Sequence, residues 1–196
     1  RYARVTGVQT CALPILAYLK TIVQNAAAGK EWAPVMGKAN GILSISKPSV
    51  ILTKTTRESL LDSNIMSVIT RTSESLNYLN KNKCLGGTGV MSEEQNVRLA
   101  CRINRDMDVL LEQFIGRYNT QETRTRVVAL INNYFANNIT NQIYSIDSFN
   151  VICDETNNPA DIRANNQLVV DISVRYLNAI YEVIVYHRAL DVSSAG

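Results

Sequence analysis

The sequence predicts an α+β fold, with helices packed on a mostly antiparallel sheet. Two patterns carry that expectation. In the middle of the chain Ile103, Met107, Leu110, Leu111 and Phe114 recur every three or four positions, which puts them on one helical face. Toward the C-terminal end, Leu168, Val170, Ile172 and Val174 alternate with Val169, Asp171, Ser173 and Arg175, which is the strand period.

The elements follow in order. Leu16–Ala28 reads as a helix ending at Gly29. Glu31–Gly41 holds the single tryptophan, Trp32, with Pro34, Gly37 and Gly41, and reads as a loop closed by the Asn40-Gly41 turn. Ile42–Ser46 alternates weakly and stops before Pro48. Leu52–Asn64 reads as a short helix, with Thr55 and Glu58 spaced as a capping box. Ile65, Val68 and Ile69 begin a strand, and Leu76–Leu79 is a second. Gly86-Gly87-Thr88-Gly89 is a flexible break.

The helix through Ile103 and Phe114 should stop at Gly116. A second helix carries Val127, Leu130, Ile131, Tyr134 and Phe135, opens in polar Thr120–Thr125 and should end at Asn137 and Asn138. Phe149–Cys153 is a strand, and Asp154–Asn166 a polar connection through Asn157-Asn158-Pro159. The last strand, Ile180–Tyr186, is apolar on both faces and so expects cover on both sides.

Energetics isolates these last strands. Burying Leu168, Val170, Ile172 and Val174 gains on the order of 6–12 kcal/mol. Ordering seven backbone residues costs about 7–14 kcal/mol. A strand so balanced needs neighbours on its edges. One near the chain end with two apolar faces invites pairing with another chain.

Composition narrows the function. The chain has 196 residues, 46% hydrophobic and 19% charged, which is ordinary globular composition for one domain. Twenty Lys and Arg against 17 Asp and Glu give +3, too weak a field for a nucleic-acid-coating protein. The four cysteines are scattered, with no CxxC pair, and His187 is the only histidine, which argues against zinc. Twenty asparagines suit turns and polar contact surfaces. No apolar run reaches the ~18 residues that a membrane span needs.

Each candidate for chemistry meets a plainer reading. Ala26–Lys30 lacks the Gly and Ser/Thr of a phosphate loop, having Gln24 and Glu31 at those positions. The glycines at 86–89 suit a turn better than an anion cradle. Cys84 or Cys153 with His187 is the one thiol-imidazole pairing, but Cys153 sits at an apolar strand phase. Asp154, Glu155 and Asp161 match no calcium-loop spacing and read as a turn. Asn138-Ile139-Thr140 is a glycosylation sequon, which matters only in a secreted protein. Arg98, Arg102 and Arg105 share a helical face that could meet an acidic partner. With no catalytic constellation, no cofactor and no metal site expected, the reading favours a structural or binding role over a thiol enzyme.

The N-terminal stretch stands apart. Val5-Thr-Gly-Val-Gln-Thr-Cys-Ala-Leu-Pro-Ile15 resembles the in-frame translation of a sequencing adapter, as a metagenomic fragment would carry. On that reading residues 1–15 are an artefact. Setting Arg1 and Arg4 aside leaves 18 basic residues against 17 acidic. Setting Cys11 aside leaves an odd number of thiols, which fits a reducing compartment. The expected organisation is then 1–15 artefact, 16–48 remnant and linker of an upstream domain, 49–190 the main domain, and 191–196 a flexible tail.

The closing segments carry a family likeness. Phe149-Asn-Val-Ile-Cys-Asp-Glu-Thr-Asn-Asn-Pro-Ala-Asp-Ile162, Asn166-Gln-Leu-Val-Val-Asp-Ile-Ser-Val174 and Ala179 with a final apolar strand resemble the C-terminal domain of bacteriophage contractile tail sheath proteins. Trp32-Ala-Pro-Val-Met-Gly37 resembles that family's aromatic-Ala-Pro loop, and Leu52–Ile65 its short helix leading into a strand. Tyr176 stands where the family often has proline, and Leu79–Cys84 replaces an expected Trp-Gly segment.

The resemblance implies a virion structural protein, not an enzyme, assembled in the host cytoplasm. It would stack helically on copies of itself around a tail tube protein, with baseplate and tail terminator proteins at the ends, and contract for genome ejection. It further implies strand exchange between subunits through Ile180, Glu182, Val183, Ile184, Val185 and Tyr186, with Arg98, Arg102 and Arg105 as candidates for the tube face. A bacteriocin-like or type VI-like injection sheath is the alternative machine.

Overall fold

The computed structural model describes residues 6–45, 48, 50–84, 88–140, 144–181 and 183–186, with side chains described from Ile15 onward. Two apolar clusters organise it. The smaller joins helix α1 (Thr6–Ala27) to the ribbon of β1 (Val68–Arg71) and β2 (Leu76–Leu79). Ala17, Val35, Leu43 and Leu79 are buried there, with Tyr18, Ile22, Ile45, Met66 and Val68 around them. The α1 backbone continues through residues 6–14, and the helix gives way at Gly29, whose φ of +72° suits only glycine comfortably.

β1 and β2 are antiparallel, with Val68 opposite Leu79 and Arg71 opposite Leu76. Buried Asn77 ties the preceding segment to this ribbon. Its side-chain amide donates to the Ile45 carbonyl at 3.0 Å, and its carbonyl accepts from the Thr70 hydroxyl at 2.9 Å.

Between these elements lie the short helices α2 (Gly37–Asn40) and α3 (Lys54–Asp62). The expected Thr55–Glu58 capping box does not form, because the helix starts earlier. Thr53 caps it instead, its hydroxyl accepting from the Thr56 N–H at 3.2 Å, and Thr55 lies inside the first turn. Gly41, after α2, is required by space. A Cβ there would lie 2.5 Å from the Met36 Cα.

The larger cluster sits between the helix pair α4 (Glu94–Leu111) and α5 (Gln121–Thr140) and a second ribbon, β3 (Ile146–Ile152) with β4 (Asp171–Tyr176). Leu99, Ile103 and Met107 of α4 meet Val127, Ile131 and Phe135 of α5, each set repeating every fourth residue. Trp32 and Tyr144 enter the same cluster edge to face, with ring centroids 5.8 Å apart. Phe135 stacks on Phe149 of the sheet at 4.7 Å.

The strands are antiparallel, as the alternation predicts, but among the described residues they form two separate two-stranded ribbons. In β3 the inward residues are Ile146, Phe149 and Val151. That phase breaks the strand period between 146 and 149. The register shift between Ile146 and Ser148 absorbs the extra residue, so both apolar sets face the helices. On β4, Ile172, Val174 and Tyr176 face the core while Asp171, Ser173 and Arg175 face outward, the phase expected from sequence.

Four boundaries differ from expectation. Helix α5 runs through Asn137 and Asn138 to Thr140. The Asn138 side chain turns back to donate to the Tyr134 carbonyl at 2.8 Å, so it sits in the helix without ending it. β3 begins earlier than Phe149, at Ile146, and stops at Ile152, leaving Cys153 buried just past its end. β4 begins only at Asp171, so Leu168 and Val170 lie before it. Fully buried Asn158 takes the strand partner's place there: its amide donates to the Val169 carbonyl and its carbonyl accepts the Val169 N–H, both at 2.8 Å. Finally, the described residues of Ile180–Tyr186 form no strand, and none of the described strands pairs with them.

Gly41→Ala should destabilise the chain by about 1–3 kcal/mol, because the methyl group would strike backbone and not a side chain that can swing away. Urea denaturation would show it as a lower midpoint.

Candidate assembly surface

The exposed end of the chain is the feature that packing does not explain. As the chain leaves β4, the Leu177 N–H donates to the Ser145 carbonyl at 2.9 Å. Beyond it, Ile180, Val183, Ile184, Val185 and Tyr186 are 65–86% exposed. Five large apolar side chains in a seven-residue run, all uncovered, are far from the scattered single exposures that any surface shows. Glu182 lies outside the described residues. β3 and β4 pair only with each other, so each presents one edge free of a strand partner among the described residues. The sheet's outer face is polar, with Ser148, Asn150, Asp171, Ser173 and Arg175.

The Asx-rich connection holds this ribbon in place. Asp154 Oδ1 accepts from the Thr156 N–H at 2.8 Å and from its hydroxyl, which holds the Asp154 carboxyl below the usual range. Asn157 donates to the Ile152 carbonyl at 2.8 Å and to Asp171 at 2.9 Å, bridging the two strands. Pro159 then leads into helix α6 (Ala160–Ala164). Asp154 and Glu155, read from sequence as weak cation candidates, are thus occupied within the loop: Glu155 reaches Arg124 at 3.5 Å. Asp161 opens α6. Among the described residues no group of three or more His, Cys, Asp or Glu is arranged to hold a metal ion.

Sequence reasoning missed Arg124. Its side chain is fully buried at the start of α5, donating to Asn119 Oδ1 at 2.8 Å and Gln121 Oε1 at 2.9 Å. Asn119 in turn donates to the Gln167 carbonyl at 2.8 Å. Arginine inside a helical repeat looks like surface in a sequence. Its position three residues before Val127, on the same helical face, was the available signal.

The basic trio on α4 is mostly spent within the chain. Arg98 pairs with Glu94 at 2.8 Å, donates to the Glu31 carbonyl at 2.6 Å and lies over the Trp32 ring at 5.9 Å. It therefore clips the Trp32 loop to α4. Arg102 pairs with Asp106 at 2.9 Å. Arg105 is exposed and makes no ion pair among the described residues, so the three do not form a continuous free positive stripe.

Asp106 anchors a second polar cluster. It accepts from the Tyr134 hydroxyl at 2.7 Å and from Arg102, with the Tyr144 hydroxyl 3.1 Å away and 2.7 Å from that of Tyr134. Burial alone would raise its pKa. The hydrogen bonds from Tyr134, Arg102 and Tyr144, with the Arg102 charge, outweigh burial and hold it below the usual carboxylate range. Burial, reinforced by these bonds, pushes Tyr134 well above an ordinary phenol.

The two thiols named as candidates, Cys84 and Cys153, are both disfavoured as thiolates. Burial pushes Cys153 up, and burial with the charges of Glu94 and Glu93 pushes Cys84 up. A reactive cysteine needs the opposite shift. The proposed partner His187 lies outside the described residues, as do Leu85, Gly86 and Gly87 of the glycine-rich break. Ala26 and Ala27 belong to the end of α1, and the sequon asparagine is turned back onto its own helix. No described helix is long and apolar enough to cross a membrane.

Solved structures share this architecture. A chain of the anti-feeding prophage baseplate, six-fold symmetrised, matches with a TM-score of 0.75 at 14% identity, over 87% of this chain and 48% of that one. The sheath complex of an extracellular contractile injection system, PVC, in its contracted state matches at 0.73 and 15% identity, over 88% and 49%. The fold is sheath-like. The contracted helical sheath of the anti-feeding prophage matches at 0.70 and 16%, over 89% and 48%. The chain thus spans about half the length of the solved chains it matches. No protein-family model matches the sequence, and no curated protein is similar to it.

Two outcomes follow from the cluster and the thiols. Asp106 has a depressed pKa in the folded chain, so its stabilisation is present above the unfolded value near ~4 and is lost as pH falls through the folded value. Asp106→Asn should cost about 1–2 kcal/mol at pH 7 and flatten the acid limb of the stability profile, as followed by urea titration. With a thiol reagent, exposed Cys101 should react before Cys84, and buried Cys153 only as the chain unfolds.

Proposed function

We propose that the chain is a structural subunit of a contractile sheath, polymerising helically around a tube and shortening to drive that tube through a target envelope. The observation that carries the reading is the uncovered apolar run from Ile180 to Tyr186, in a chain whose fold is sheath-like. On this reading the run pairs with the open edge of the β3–β4 ribbon in a neighbouring copy. Such a contact is head-to-tail: the patch given and the patch received differ, so it propagates into a filament instead of closing a dimer. Strand exchange also keeps copies linked while their bodies move against one another. Contraction would draw on improved burial between subunits, with no nucleotide and no catalytic step.

The partners are then further copies of the chain, a tube protein, and baseplate and terminator proteins at the ends, assembled in the host cytoplasm. The α4 face remains the candidate for tube contact, with Arg105 as its unpaired charge and Arg98 and Arg102 in supporting roles. Phage tail and injection device are both machines of this design. The matched structures come from contractile injection systems, and at 14–16% identity they carry the fold shared by both machines. Genes beside this one would separate them: head proteins for a phage, effectors for an injector.

Deleting 180–196 should abolish polymerisation while leaving the helical circular dichroism of the α4–α5 body intact. Negative-stain images of the parent protein expressed alone should show hollow striated cylinders that the deletion loses. Cylinders of normal appearance from the shortened chain would defeat the strand-exchange role.

A further inference from the structure

One residue in the exposed terminal run is held. Tyr181 is half-buried between neighbours that are not: Ile180 is 78% exposed and Val183 77%. Its ring lies beneath two ammonium groups, with Lys81 Nζ 5.0 Å and Lys83 Nζ 5.4 Å from the centroid. Both distances fall inside the range where a cation is drawn to an aromatic face. The cradle is stiff. Lys83 is fixed by Glu93 Oε1 at 2.6 Å and by the Ser92 hydroxyl at 2.9 Å, and a backbone bridge pairs residue 83 with residue 93. Between the two lysines, fully buried Asn82 donates to Glu94 at 2.7 Å and receives the Tyr18 hydroxyl at 3.4 Å. The cradle therefore sits where α1, the β2–α4 connection and α4 meet.

We propose that Tyr181 is an anchor: its ring, clamped under Lys81 and Lys83, fixes the root of the C-terminal segment to the body. Its hydroxyl is buried with no hydrogen-bond partner among the described residues, so the holding interaction belongs to the ring and not to the oxygen. A donor or acceptor role would have left that oxygen paired. The consequence for assembly rests on the sheath reading: an anchored root gives every subunit the same point of departure, so the exchanged segment reaches a neighbour in one register. The anchor itself is a property of the single chain and is tested there.

The experiment compares wild type with Tyr181→Ala, Tyr181→Phe and Lys81→Gln as unpolymerised chains. The ε-methylene resonances of Lys81 and Lys83 should be shifted upfield by the ring, stay shifted in Tyr181→Phe, and return to the free-lysine position in Tyr181→Ala. Subtilisin cleavage within 178–186 should be about ten-fold faster in Tyr181→Ala, near wild type in Tyr181→Phe, and about three-fold faster in Lys81→Gln. Unshifted lysine resonances in wild type, equal cleavage of Tyr181→Ala and wild type, or equal loss in the Phe and Ala variants would each overturn the anchor. A failure of the full-length protein to form cylinders would count against the sheath reading and leave these results standing.

Discussion

A strand must satisfy its backbone through neighbours, and that requirement governs this chain. β3 and β4 satisfy each other along one edge and rest their apolar face on α4 and α5. A two-stranded ribbon is marginal alone, so the helix pair is what makes it stable. Its remaining edges have no strand partner among the described residues, and the described apolar residues after Leu177 do not pair with them. Phe149, Val151, Ile172 and Val174 supply the ribbon's share of the core, while Ile180 and Val183 stay exposed.

The polar residues around the ribbon determine its geometry. Asn158 satisfies both backbone groups of Val169 with one side chain, which ends the ladder at Asp171 and sends the preceding segment toward Asn119 and Arg124. Asn157 bridges Ile152 to Asp171. These bonds show what the Asx-rich stretch after Cys153 does in the fold: its side chains clasp the ends of β3 and β4 together. Arg98 does the same for the Trp32-Ala-Pro34 loop, holding it by charge, backbone carbonyl and ring. Residues that look like a functional surface in sequence are therefore often the fasteners of the core.

Much of the fold was legible because period is a one-dimensional property. The apolar phases of α4, α5 and β4 follow from spacing alone, and the clusters that those residues form agree with it. Boundaries were harder. Thr53 rather than Thr55 caps α3, and Asn138 continues α5, because each outcome depends on where a short polar side chain finds its partner. The bulge at 146–148 hides in sequence, since it breaks the period it serves. On the candidate surface, the apolar character of Ile180–Tyr186 was plain, whereas the fate of the basic trio was not. Glu94 and Asp106 stand four residues before and after Arg98 and Arg102, yet whether such pairs close depends on rotamers that spacing does not set.

By itself the sequence determined the mix of helix and strand, which faces are apolar, and the apolar character of Ile180–Tyr186. These follow from composition and periodicity, which act along the chain. Only the tertiary structure decided that Arg124 is interior, that Trp32 joins the α4–α5 core, and that Tyr181 lies under two lysines 98 and 100 positions earlier. Such contacts are set by packing between distant segments, and their energies depend on distances that exist only once the chain has folded.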